Sequence, residues 1–174
     1  MLTFHRIINE FMIQSGDPDS KERVAGKLYG NGGPKKNIPA EFITELFHKR
    51  GALAAAREGD ASNPLRESSG SQFYIVEGKI QSEKLLSDAE KKINERNKAI
   101  GNESIYIYPE SVRDYYKNFG GTPHLDTQYT VFGEVVSGMD VVFTISDVKT
   151  DSNDRPIDDI YIISAKAFKK RISK

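Results

Sequence analysis

The stretch Phe4-His5-Arg6-Ile7-Ile8-Asn9-Glu10-Phe11-Met12-Ile13-Gln14-Ser15-Gly16-Asp17 contains two short apolar runs, Phe4–Ile8 and Phe11–Gln14, closed by the turn chemistry of Ser15-Gly16-Asp17-Pro18. Residues two apart in a strand share a face. Phe4, Arg6 and Ile8 are therefore expected on one side, His5 and Ile7 on the other, and Met12 and Gln14 together in the next strand. An arginine amid such apolar strands is costly unless it is solvated, paired or functional. On the pattern alone, two readings of Arg6 stand side by side. It is either a rim arginine satisfied by carbonyls or a carboxylate, or a group that acts on a ligand.

Further apolar runs follow at Ala52–Ala56, Gln72–Val76, Tyr129–Val136 and Ile160–Ser164. Turn clusters separate them at Gly30-Asn31-Gly32-Gly33-Pro34, Glu58-Gly59-Asp60 and Ser68-Ser69-Gly70. This rhythm predicts an antiparallel β protein, with a bulge or tight bend at Gly133. Helical spacing of Leu85, Leu86, Ala89 and Ile93 predicts a helix from an N-cap at Ser82 to about Ile100, stopped by Gly101-Asn102. A second helix is expected near Pro109, a residue suited to the first helical position, ending by Gly120-Gly121. Residues 79–120 thus form a charged helical excursion too long for a hairpin loop. A shorter helix follows Ser137, with Met139, Val142 and Ile145 on one face. No internal repeat or low-complexity tract interrupts the chain, and residues 1–174 read as a single domain.

Lysine plus arginine equals aspartate plus glutamate, 25 each over 174 residues. No net field draws the chain to nucleic acid or an anionic membrane, so neither is an expected partner. The absence of cysteine excludes disulfides, thiolate nucleophiles and cysteine-ligated metals. No apolar run approaches the ~20 residues of a membrane helix, and the first residues carry no signal-peptide core. His5, His48 and His124 lack the spacing of a metal site. Gly70-Ser71-Gln72 is not a nucleophile elbow. The turn Gly30-Asn31-Gly32-Gly33 is not a phosphate loop, because no lysine–serine/threonine pair follows it.

Four blocks, in order, carry a family resemblance. The first is the opening stretch. The second is Asn31-Gly32-Gly33 followed by Ile38-Pro39-Ala40-Glu41-Phe42. The third is His48-Lys49-Arg50-Gly51-Ala52-Leu53-Ala54-Ala55-Ala56 with Gly70-Ser71-Gln72-Phe73-Tyr74-Ile75. The fourth is Pro123-His124-Leu125-Asp126 with Tyr129-Thr130-Val131-Phe132-Gly133-Glu134-Val135-Val136. Together they resemble the cyclophilin-type peptidyl-prolyl cis–trans isomerases of bacterial type. The resemblance implies a mainly β fold, a cyclophilin-like antiparallel barrel with a capping helix, here with the helical excursion inserted.

It also implies a reaction. An X–Pro bond is held planar by a barrier of ~18–20 kcal/mol, and rotation leaves a lone pair on the proline nitrogen. A guanidinium aimed at that nitrogen binds the twisted state better than either planar isomer, which is catalysis without a covalent step, metal or cofactor. By resemblance Arg6 has this role. Phe11, Met12, Leu125 and Tyr74 line the proline pocket, although Phe11, Met12 or Leu125 taken alone reads as core before pocket. Gln14 and Gln72 bond the substrate backbone or Arg6, and alternation leaves Phe73 to the core. Ala56, Arg57, His124 and Tyr129 complete the substrate-binding set.

Several positions depart from the family's usual residues. Ser15 replaces a glycine, Tyr74 a phenylalanine and Tyr129 a histidine. His124 stands where many relatives carry a tryptophan that contacts cyclosporin. Arg57 and Glu58 replace an asparagine and a small residue, which predicts altered charge beside the groove with binding retained.

The family's first two strands and first helix precede the Phe-His-Arg block, which here starts at the fourth residue. The expectation is therefore a barrel lacking roughly forty residues, open at two edges and prone to self-association there. As written the chain reads as cytoplasmic, whereas a longer N-terminus would allow periplasmic or lipid-anchored export. The expected partners are proline-containing peptides and unfolded clients. The alternative function is a non-catalytic proline-peptide binding or chaperone-like module, or an incomplete fragment.

Overall fold

The computed structural model describes residues 1–22, 24 and 27–169, so the last five residues of the expected unit lie outside the described ones. Its elements are β1 (Leu2–Thr3), β2 (Arg6–Ile8), β3 (Met12–Ser15), β4 (Ala52–Ala55), β5 (Phe73–Val76), α1 (Glu83–Ala99), α2 (Glu110–Asn118), β6 (Val131–Glu134), α3 (Met139–Ser146) and β7 (Tyr161–Ile162). A five-stranded antiparallel sheet in the order β2-β3-β5-β4-β6 organises the fold, and β1 pairs separately with β7.

The first run thus divides in two. The Phe4 N–H donates to the Ile160 carbonyl, whereas the next N–H, from His5, donates to the Gln14 carbonyl. The chain changes partners between these two residues. The side-chain alternation is nevertheless as expected, since His5 and Ile7 are buried and Arg6 is only half-buried. The hairpin tip is Glu10, whose left-handed backbone (φ 59°) is held by its N–H donating to the Glu77 carboxylate at 2.6 Å.

Register then does the positioning. Arg6 pairs with Gln14, Gln14 with Tyr74, and Tyr74 with Ala54. Directly paired residues project to the same side of a sheet, so these residues form one row across four strands. On this side Met12, Ala54, Tyr74 and Val76 pack with Leu125 and Val131. On the opposite side Ile7 and Ile13 pack against Val142, with Met139 and Ile145 of the same helix around them. Each aliphatic side chain buried in this way contributes roughly 1.5–3 kcal/mol. Phe73 corrects the expectation of a core residue: it is half-buried and lines a shallow apolar cavity with Ile38, Pro39 and Phe132. It shares the face of Ile13 and Ile75 but lies outside the cluster that they form with α3. The bulge lies where Gly133 suggested, since Leu53 pairs with Gly133 but Ala54 with Val131, leaving Phe132 as the extra residue.

The expected open edge at β2 is partly occupied, because the Ile7 N–H donates to the Asp154 carbonyl at 2.8 Å. A loop laid along a short edge strand satisfies its outward groups and blunts pairing with other chains.

The excursion carries its own small core of Leu86, Ala89, Ile93, Tyr108 and Tyr116, with Phe47 packed against it. Ser82 caps α1 by accepting the Leu85 N–H at 3.3 Å. At the other end Gly101 (φ 77°) donates to the Lys98 carbonyl and Asn102 to the Asn97 carbonyl. This is the left-handed stop that glycine favours. Two details differ from expectation. Leu85 is exposed, because it lies one step of the helix away from the Leu86–Ala89–Ile93 stripe. Pro109 (φ −54°, ψ 146°) is the cap residue and not the first helical residue, since its ψ is extended. Among the described residues no helix is long and apolar enough to cross a membrane.

The stem of the excursion is a backbone contact between two glycines. A Cβ on Gly78 would meet the Gly121 Cα at 2.4 Å, and Gly78 itself holds φ 62°. Both the clash and the conformation penalise a side chain. Gly78→Ala is expected to destabilise the chain by at least about 2 kcal/mol, read as a lowered urea midpoint. An unchanged midpoint would mean that the stem parts freely.

Candidate active site

The row that begins at Arg6 opens into a pocket of about 90 Å³ lined by Arg6, Phe11, Met12, Gln14, Ala56, Arg57, Tyr74, Leu125 and Tyr129. This is the size of one small ring. The structure therefore brings nine of the expected site residues around a single cavity. Apolar walls come from Phe11, Met12 and Leu125, and the charged group sits at the rim. Arg6 donates from Nε to Asp154 Oδ2 at 3.2 Å, with both side chains about two-fifths exposed, at 43% and 41%. Among the described residues no hydrogen bond to the terminal NH2 groups of Arg6 is seen. Asp154 thus orients the guanidinium from behind while the fork stays free to donate to a ligand.

The two remaining expected residues border this pocket. His124 is exposed at the rim, its ring 5.4 Å from that of Phe11. Gln72 is buried and lines a wider polar groove of about 760 Å³, which shares Gln14, Ala56 and Arg57 with the ring-sized pocket. Of the two partners expected for Gln14 and Gln72, the substrate backbone or Arg6, the hydrogen bonds within the chain do not include Arg6. Gln14 Nε2 donates to Gln72 Oε1 at 3.1 Å, and Gln72 Nε2 donates to the carbonyls of Gly30 (2.9 Å) and Gly32 (2.7 Å). These bonds pin Gln72 to that turn and Gln14 to Gln72. Arg57 is also more enclosed than a groove-side charge. It donates to the Gln128 and Glu58 carbonyls, pairs with Asp60 at 2.8 Å, and lies 4.5 Å over the Tyr129 ring. It braces Tyr129 more than it charges the opening.

The turn that holds Gln72 is itself held by Asp17, whose carboxylate accepts the N–H groups of Gly30, Gly32 and Asp19. Burial pushes the Asp17 carboxyl up, but those donors outweigh it and hold it below its ordinary value. Beside it, burial holds His5 below its ordinary 6.5, and among the described residues neither ring nitrogen has a hydrogen-bond partner. A histidine depressed by folding takes up its proton more readily in the unfolded chain. Its contribution to stability is therefore present above the unfolded value and lost as pH falls below it. Acidification from pH 7 to 5 is expected to lower stability by up to about 1.4 kcal/mol per pH unit below 6.5. Urea midpoints across this range measure it, and His5→Gln should flatten the profile. An equally steep profile in that variant would assign the loss elsewhere.

Sequence reasoning did not find the groups that support this site. Asp154 lies 148 positions from the arginine it orients. Beneath Tyr74, His48 and Asp126 form a buried pair that the sequence shows only as members of two motifs.

An antiparallel sheet with an arginine at the rim of a small pocket is the arrangement that the resemblance to cyclophilins implied. Two solved structures have this fold. A crystal structure of a Cryptosporidium parvum cyclophilin type peptidyl-prolyl cis-trans isomerase superposes with a TM-score of 0.57 at 23% identity, covering 92% of this chain and 69% of that one. A second, obtained in the presence of the dipeptide Ala-Pro, gives 0.56 at 23% identity over 91% and 69%. Sequence relatives are nearer. A Staphylococcus saprophyticus protein named as a peptidyl-prolyl cis–trans isomerase is 36% identical over 94% of this chain and 70% of its own length. A Staphylococcus aureus counterpart is 34% identical over the same shares. The model of the family "Cyclophilin type peptidyl-prolyl cis-trans isomerase/CLD" matches residues 1–167. The chain belongs to the cyclophilin-type peptidyl-prolyl cis–trans isomerase family, and it is an enzyme that rotates X–Pro peptide bonds.

Proposed function

We propose that Arg6 is the catalytic donor of this isomerase and that Phe11, Met12, Tyr74, Leu125 and Tyr129 receive the proline ring of its substrate. The observation that carries this reading is the position of Arg6. Its fork stands on the rim of the small pocket walled by Phe11, Met12 and Leu125. As the X–Pro bond twists, the nitrogen pyramidalises and its lone pair becomes an acceptor. A guanidinium fixed from behind by Asp154 meets that lone pair without reorganising, and the gain exists only in the twisted state.

The flanking residues of the substrate then run into the polar groove. There Gln14 offers its amide oxygen to an extended backbone, with Ala56 and Gln72 at the groove wall and His124 at the pocket's other rim. Such a groove suits unfolded or extended proline-containing clients. Residues 1–174 act as one unit, with 79–120 as an insertion. A binding module without turnover is not favoured, because proline docking alone needs aromatic walls and no oriented cation.

Titration of the chain with a short X–Pro peptide tests the site by amide chemical-shift mapping. Shifts should concentrate at Phe11, Met12, Gln14, Ala56, Tyr74 and Leu125, with exchange between cis and trans peptide accelerated. Shifts centred on another surface would overturn the assignment. The solution size measured on the same sample tests self-association through the sheet edges.

A further inference from the structure

Behind the pocket lies a hydrogen-bond chain that rotation about X–Pro does not itself require. Its first link is Tyr74, a pocket wall with its ring buried and its hydroxyl 2.9 Å from His48 Nε2. The other ring nitrogen, His48 Nδ1, is 2.8 Å from Asp126 Oδ1, and the His48 backbone N–H donates to the same oxygen at 2.8 Å. Asp126 Oδ2 accepts from the hydroxyls of Tyr108 and Tyr116, each at 2.7 Å. All five residues are buried.

The chain has a direction that chemistry imposes. A carboxylate only accepts, so His48 Nδ1 carries the proton toward Asp126. In the neutral ring Nε2 is then an acceptor and takes the Tyr74 hydroxyl. Burial, reinforced by the Asp126 charge, holds the Tyr108 and Tyr116 hydroxyls far above the ordinary tyrosine range, so both remain donors at any working pH. The carboxylate accepts four hydrogen bonds, and the imidazole is held at both nitrogens. Its plane is also nearly parallel to the Tyr74 ring at 6.0 Å and edge-on to Tyr129 at 6.4 Å. Such a network has few alternative arrangements, because each buried group left unpaired costs about 1–3 kcal/mol.

Two of the members, Tyr108 and Tyr116, belong to the excursion; the other three belong to the sheet and its loops. The helical segment is thereby tied through hydrogen bonds to a wall of the proline pocket. We propose that Tyr108 and Tyr116 are positioning residues for isomerisation, acting through Asp126 and His48 to fix Tyr74. This rests on the assignment of Tyr74 to the proline pocket. With the chain intact, the Tyr74 hydroxyl points away from the ring site and its ring presents a fixed apolar wall. With the two donors removed, Asp126 and His48 gain freedom, and Tyr74 loses the partner that holds its hydroxyl beneath the pocket.

The test is a double-mutant cycle, read by exchange NMR on a short X–Pro peptide. Tyr108→Phe and Tyr116→Phe together remove two hydroxyls while keeping both rings. In the parent background they should lower kcat about fivefold with KM within about twofold. In a Tyr74→Phe background, where the last link is already cut, the same pair should lower kcat less than about twofold. An equal fall in both backgrounds would assign the tyrosines a general structural role and overturn the proposal, as would no fall in the parent. Should the doubly substituted chain not unfold cooperatively, either single substitution leaves one tyrosine donor on Asp126 and runs the same cycle. Arg6→Ala, assayed alongside, separates the two levels. If it turns over like the parent, the site assignment has failed. If it is inactive and the tyrosine pair is silent, only the positioning role has failed.

Discussion

Arg6→Ala is expected to lower kcat/KM about 10²–10³-fold, the loss typical of removing one pre-oriented donor from a charge-developing transition state. The fold should survive. Arg6 and Asp154 are each about two-fifths exposed, so their ion pair is screened by solvent and contributes no more than about 1 kcal/mol. The pocket walls do not depend on the guanidinium for packing, since Phe11 and Met12 sit against the apolar cluster of the sheet. Exchange NMR on an X–Pro peptide, with urea unfolding as control, checks both halves. A variant that keeps the parent's kcat/KM would remove Arg6 from the mechanism. Asp154→Asn should act in the same direction but less, because it leaves the fork present and only loosens its aim.

Asp126→Ala carries the largest expected effect on stability, a loss of about 3–5 kcal/mol. The substitution strands the Tyr116 hydroxyl, the His48 ring nitrogen and the His48 backbone N–H in a site with almost no solvent access, and leaves the Tyr108 hydroxyl only the Pro123 carbonyl at 3.1 Å. Three donors lose their acceptor at once and a fourth loses the nearer of two, and a small apolar side chain replaces none of them. A shift of that size lowers the thermal midpoint by roughly 10 °C in a chain of this length. Asp126→Asn should cost less, because its amide oxygen still accepts from His48 and its NH2 group can donate to a tyrosine oxygen. A loss below about 1 kcal/mol for the alanine variant would mean that water reaches the stranded donors.

How much of this was legible beforehand depended on separation along the chain. Arg6, Phe11, Met12 and Gln14 fall within one hairpin, where alternation alone assigns their face and a motif assigns their company. The helices were equally readable, since Ser82, the Leu86–Ala89–Ile93 stripe and Gly101 are local signals of start, face and stop. Errors arose where a local rule met a tertiary competitor. Phe73 alternates correctly, onto the face of Ile13 and Ile75, but lies outside the cluster those residues form with α3. Of the two partners expected for Gln14 and Gln72, Arg6 is not taken within the chain, because the amides bond each other and the Gly30 and Gly32 carbonyls. Leu85 carries helical spacing yet looks outward, because spacing identifies a stripe without saying where it ends.

The sequence by itself determined the antiparallel strand rhythm, the helical excursion between Gly78 and Gly121, and the family motifs that bring an arginine and apolar walls to one sheet face. Those follow from periodicity and turn chemistry, which act over a few residues. Only the tertiary structure decided that Asp154 stands behind Arg6, that Gly78 touches Gly121, and that Tyr108 and Tyr116 reach Tyr74 through Asp126 and His48. Each of these contacts joins residues separated by between 10 and 148 positions along the chain. Their geometry is set by how the sheet and the excursion pack, because a buried donor takes whichever acceptor the folded chain brings within reach.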